Sequence, residues 1–143
     1  MGSAFATAVL VLNAVWFGLG FWFFALHARQ AVRILVPRSA EGETSARALA
    51  ASLPFLGGMN LGYAGLAVML LLSRALSRVA APSWHIYAAF AVAHATQWAY
   101  NLPHLLKGGR PGGAPWDVSR GPMLFIFVMD AVGAVSNLLA LLT

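Results

Sequence analysis

The chain has no cysteine and very little charge. Without thiols it can build no disulfide, no thiolate zinc site, no iron–sulfur cluster and no dithiol redox centre. Charged residues make up 9% of its 143 residues, where a soluble domain carries about 25%. In their place 60% of the residues are apolar, and the mean hydropathy is +0.75. A surface so poor in ions cannot be solvated by water, so the chain reads as an integral membrane protein. Also missing are a Walker or Rossmann glycine fingerprint and a serine elbow, which argues against an ordinary NTPase, dehydrogenase or hydrolase. No glutamate lies in any apolar run, which removes the Glu and His pairings of di-iron bundles, and no metal site is expected. The net charge of +5 comes from basic residues at the ends of apolar runs rather than in one stripe, so no nucleic-acid partner is expected.

What is present is a set of apolar segments, at residues 4–28, 48–72, 84–106 and 123–142. Each reaches the roughly 20 residues needed to cross a bilayer. The expected fold is all-α: an integral membrane four-helix bundle, up-down-up-down, forming one transmembrane domain over 1–143. Its helices are expected at about 4–36, 48–76, 84–106 and 122–142. Residues 1–7 hold no Lys or Arg, and the run that follows is longer than a signal-peptide core, so it reads as a retained helix. Pro37 disfavours helix at the residue before it, Ser83 suits an N-cap, and Pro122 suits a first helical turn. Glycines and prolines between 107 and 121 forbid helix there, and Lys107 and Arg110 beside them could form an anion-binding nest. The first connection holds Arg29, Arg33, Arg38 and Arg47 and the third Lys107, Arg110 and Arg120, against Arg74 and Arg78 in the second. The positive-inside rule then places both termini outside.

Polar residues inside the apolar runs are the candidates for function. Asp130, Gly133 and Asn137 share one small, polar stripe, and a buried acid is expensive unless it faces the bundle interior. His94, Gln97, Asn101 and His104 recur at heptad spacing on the third segment, with Trp98 at the edge of that stripe. Depth counting allows His94 or Gln97 to meet Asp130, and histidine is the basic partner available at that level. Asn13, Gly20 and His27 share a face of the first segment. Gly58, Gly62 and Gly65 form a contact face of GxxxG type on the second, with Asn60 opposite and Tyr63 beside it. Asn13, Asn60 and Asn137 read equally as interhelical glue. The aromatic run Trp16, Phe17, Phe21, Trp22, Phe23 and Phe24 reads as lipid-facing or core. His27 and His104 are the pair that could stand at one depth as haem ligands, although each also suits a membrane interface.

The size, the four segments, the glycine-rich stretch Gly57-Gly58-Met59-Asn60-Leu61-Gly62 and the loop-rich third connection resemble the DoxX-like group of small four-helix bacterial membrane proteins. The resemblance lies in architecture over most of the chain and carries no catalytic motif. It implies a bacterial inner membrane and, by analogy with some members, an accessory role beside a membrane oxidoreductase. The residues themselves suggest a polar intramembrane pocket for an apolar or amphipathic molecule such as a quinone, sterol-like compound or lipid. That pocket would be lined by His94, Gln97, Trp98, Asn101, Asp130, Asn137, Asn60 and Tyr63. The alternatives are an accessory subunit or homo-oligomer docking through Gly58, Gly62 and Gly65, and an enzyme using His94 and Asp130 as a proton-transfer pair.

Overall fold

A computed structural model describes residues 2–35, 44–76, 84–108 and 117–142, with every described element helical. Helix α1 is Gly2–Phe21, followed by a π-helical turn Trp22–Leu26; α2 is Ala28–Leu35, α3 Thr44–Ala75, α4 Trp84–Leu106 and α5 Gly121–Ala140. Three stretches are long and apolar enough to cross a membrane: Ala4–Leu26, Ala46–Ala75 and Gly121–Ala140. Helix α4 has the length, 23 residues or about 35 Å, but its imidazoles and carboxamides lower its hydropathy below that of the other three.

The inward stripes follow helical spacing. Helix α1 buries Ala6, Val9, Leu10, Asn13 and Phe17, and α5 buries Met123, Phe127, Asp130, Gly133, Asn137 and Ala140. Outward positions stay apolar, with Val11, Val15, Leu19, Val68, Leu72, Val128, Val132 and Val135 exposed, as a lipid-facing surface requires. Helix α1 packs on α3 and α5, and α5 on α4, whereas the α3 and α4 backbones stand farther apart and meet through side chains such as Tyr63 and Phe90, whose rings lie 5.9 Å apart. Helix α1 runs antiparallel to both α5 and α3: Asn13 meets Asn137 while Trp16 meets Asp130, and Phe17 meets Tyr63 while Gly20 meets Asn60. One apolar core, around Leu10, Phe17, Ala64, Ala67, Tyr87 and Phe90, joins α1, α3 and α4.

The first helix is not continuous to residue 36 as expected. It widens into the π-turn and breaks at His27, whose φ of −121° and ψ of 31° leave the helical region. At the break the His27 Nδ1–H donates to the Trp22 carbonyl at 3.0 Å and the ring lies tilted against Trp22 at 4.1 Å, so the side chain occupies an acceptor of the helical ladder. The chain restarts as α2, with the Gln30 and Ala31 amides donating to the His27 carbonyl at 2.9 Å. Its Ala31 and Val32 fold against Ala46 and Leu53 of α3. At the other boundaries α3 begins at Thr44 rather than 48, and α5 opens with Pro122 in its first turn. Gly108, at φ +85°, closes α4, its amide donating to the Leu105 carbonyl at 3.1 Å. Pro37, Ser83 and Arg110, with the glycines around it, lie outside the described residues.

The glycines that permit close approach are not those of the expected contact face. Gly58, Gly62 and Gly65 have open space where a Cβ would stand. The intimate contacts use Gly57, where a Cβ would lie 2.6 Å from the Ala25 backbone nitrogen, Gly20 under the Asn60 side chain, and Gly133 under the His94 ring. A GxxxG spacing identifies small residues on one face, and which face turns inward is set by the bulkier neighbours Tyr63, Ala64 and Ala67.

Candidate functional site

Asp130, His94, Asn13 and Asn137 converge from α5, α4 and α1, and all are fully buried. His94 Nδ1 lies 3.1 Å from Asp130 Oδ1, and Nε2 lies 3.1 Å from Asn13 Oδ1. The two asparagines form a reciprocal pair: Asn13 Nδ2 donates to Asn137 Oδ1 at 3.0 Å, and Asn137 Nδ2 donates to Asn13 Oδ1 at 3.1 Å. Each amide spends its second N–H on the carbonyl one turn back, Val9 at 2.8 Å and Gly133 at 2.9 Å. Those carbonyls can only accept, which fixes the orientation of both amides. The Trp16 indole N–H donates to Asp130 Oδ1 at 3.0 Å, and the Phe17 ring covers the imidazole at 4.7 Å.

The bonding roles determine a proton count. Asn13 Oδ1 is an acceptor, so His94 Nε2 must carry a hydrogen. Between Nδ1 and Asp130 Oδ1 one further proton is needed, on the imidazole facing a carboxylate or on the carboxyl facing a neutral ring. Both arrangements hold two protons and carry no net charge, which suits a site without water. Among the described residues nothing donates to Asp130 Oδ2, which is buried. The dyad therefore shares one proton between Nδ1 and Oδ1, with no described donor beside Oδ2.

The other expected site residues are placed differently. Gln97 does not reach Asp130; its amide turns to the Ala93 carbonyl at 3.4 Å, and the Asn101 amide to the Gln97 carbonyl at 2.9 Å. Trp98 stacks on Phe127 at 5.8 Å, and Tyr63 on Phe17 at 5.0 Å. Along the α4 stripe, His94 bonds to α5, Trp98 at its edge packs on α5, and Gln97 and Asn101 turn their amides to carbonyls of α4 itself. His27 sits at the break in the first helix and His104 in the last turn of α4. Among the described residues no group of three His, Cys, Asp or Glu could hold a metal ion.

Toward the end of the bundle where α1 widens lies a chamber of about 230 Å³, walled by Trp16, Trp22, Phe23, Phe24 and Phe125, with the carboxamides of Asn60 and Gln97. A second cavity of about 280 Å³ opens between α3 and α4 beside Met59, Tyr63, Thr96 and Tyr100, and shares Asn60 and Gln97 with the first. The Asn60 amide donates to the Leu56 carbonyl at 2.8 Å. Neither wall includes His94 or Asp130. The pocket is thus beside the dyad rather than around it, and Trp16 is the partition: its ring faces the chamber and its N–H holds Asp130. Sequence reasoning passed over Trp16 and the aromatic chamber. The signal lay in the spacing Asn13, Trp16, Gly20, which sets the indole on the inward face, and in the π-turn, a feature common at functional sites.

Comparison with protein-family models, with curated proteins and with solved structures finds no match to the chain. Its function has to be argued from this geometry.

Proposed function

We propose that the chain is a four-helix, up-down-up-down membrane protein with both termini outside, in a bacterial inner membrane, and that its aromatic chamber holds the polar end of an apolar or amphipathic small molecule. A quinone, a sterol-like compound or a lipid fits this description. The observation that carries the reading is that the chamber and the groove between α3 and α4 share the Asn60 and Gln97 carboxamides. A molecule dissolved in the bilayer would enter between α3 and α4, place its ring or chain against Trp16, Phe23 and Phe125, and bond its oxygen to the two amides. Mostly apolar walls with a few convergent polar groups are the usual make-up of a small-molecule site. Helix α4 counts as the fourth span because its most polar residue, His94, is spent inside the bundle.

The test is native mass spectrometry of the protein released from mild detergent. The wild-type chain is expected to carry an organic-extractable adduct, and Ile126→Trp, which fills the chamber from α5, is expected to lose it. The double variant Asn60→Leu with Gln97→Leu should lose it as well, with the helical circular dichroism unchanged. An adduct kept by both variants would place the ligand elsewhere.

A further inference from the structure

We infer that the groove between α2 and α3 binds a phosphate group, presented by an anionic phospholipid at the membrane surface or free in solution. The groove forms where α2, beyond the break at His27, continues alongside α3 in the antiparallel sense that α1 began. Ala31 and Val32 pack against Ala46 and Leu53, and Arg29 and Arg33 come to stand beside Arg47 of α3. The result is a cavity of about 370 Å³ lined by Arg29, Val32, Arg33, Ala46, Arg47 and Ala50.

Three features of this cavity point to a phosphate. Arg29 and Arg33 are one helical turn apart, where like charges repel, and Arg47 adds a third cation from the facing helix. The described acids are engaged elsewhere, Asp117 with Arg120 and Asp130 with His94, so among the described residues no carboxylate offsets the three guanidinium groups. Guanidinium presents paired N–H donors that match two phosphate oxygens, which makes arginine the residue suited to this recognition. Depth is the third feature. The apolar stretch of the first helix ends at Leu26 and that of α3 begins at Ala46, so Arg29, Arg33 and Arg47 lie where both spans leave the hydrocarbon, at the level of lipid phosphates. The apolar floor of Val32, Ala46 and Ala50 suits the glycerol and first acyl carbons of a lipid.

The experiment measures lipid retention by native mass spectrometry after reconstitution in phosphatidylcholine alone or with added phosphatidic acid, and ³¹P line broadening of inorganic phosphate with the protein in neutral detergent. The expected result is preferential retention of phosphatidic acid, weakened roughly fivefold for each of Arg29→Gln, Arg33→Gln and Arg47→Gln. The exposed side chains leave the fold in place, checked by circular dichroism. Arginine-dependent broadening of inorganic phosphate without a lipid preference supports the same site with a soluble source. Lys107→Gln removes one positive charge outside the groove. If it costs as much as Arg33→Gln, overall charge is acting and the proposal is overturned. It is likewise overturned if the wild-type chain binds neither probe, or binds only once Glu41 and Glu43, which lie outside the described residues, are both changed to Gln.

Discussion

The same residue types behave in opposite ways in the two halves of this molecule. In the half near the termini, Asn13, Asn137, His94 and Asp130 have no exposure and bond across three helices. In the other half Asn60, Gln97 and Asn101 each turn an amide to the carbonyl one turn back on their own helix. The difference is one of helix convergence. Where α1, α4 and α5 come together at one depth, with Gly133 letting the His94 ring lie against the α5 backbone, polar groups find partners on other helices and water is excluded. Where α3 and α4 stand apart, the amides fall back on carbonyls of their own helices. Whether a polar side chain ties helices together or turns to its own backbone thus follows how many helices meet at its level.

The largest test of this contrast is Asp130→Leu. It leaves His94 Nδ1 and the Trp16 N–H without an acceptor in a sealed site, and breaking a buried pair in this way costs about 3–5 kcal/mol. The melting temperature in detergent should fall steeply. Next is Gly133→Ala, where the added carbon would stand 2.7 Å from three atoms of the His94 ring. A ring wedged between helices cannot yield as a flexible chain end would, so overpacking should cost about 1–3 kcal/mol. Histidine ring NMR should show His94 displaced. Gly62→Ala, with nothing within 4 Å, should be neutral or stabilising by up to about 1 kcal/mol. The open half should respond less: Gln97→Leu removes a long, local hydrogen bond and should change stability by under about 1 kcal/mol, while abolishing ligand retention. Equal melting shifts for Asp130→Leu and Gln97→Leu would dissolve the distinction between the halves.

The closed half was the more legible in the sequence, for a physical reason. A carboxylate in an apolar run must find a partner, His94 was the basic group at its depth, and helical spacing put Gly133 and Asn137 on the same stripe, so the dyad could be anticipated from Asp130 alone. The open half depends on where backbones part, and hydropathy does not encode that. Only its spacing from Asn13 and Gly20 set Trp16, which bonds inward to Asp130, apart from Trp22, which is half exposed, and the break at His27 comes with one imidazole N–H bonding one carbonyl. The face of Gly58, Gly62 and Gly65 is open within the molecule, because close approach between its own helices uses Gly20, Gly57 and Gly133 instead. Of the four apolar segments, those of α1, α3 and α5 are long and apolar enough to cross a membrane, whereas the imidazoles and carboxamides of α4 lower its hydropathy below theirs.

The smallest effect sharpens the comparison through the two aspartates of the last helical segment. Asp130 meets the His94 ring and the Trp16 N–H at Oδ1, fully buried inside the bundle. Asp117, just ahead of α5, is partly exposed and accepts the Ser119 hydroxyl at 2.6 Å, the Ser119 amide at 2.9 Å and Arg120 Nε at 2.7 Å. Those donors favour the carboxylate, Ser119 first and Arg120 after it, and lower its pKa from 3.8 to about 2. A depressed carboxylate contributes stability that is complete above its unfolded value of 3.8 and is lost as pH falls through about 2. Its carboxyl ¹³C resonance should therefore titrate near 2, and Ser119→Ala should return the midpoint toward 3.8. Because the turn it closes leads into Pro122 and Phe125, both in the chamber wall, Asp117→Asn should loosen ligand retention slightly at neutral pH. It should leave the His94 ring signals unmoved, since the sealed cluster lies deeper along α5 and shares no partner with the turn.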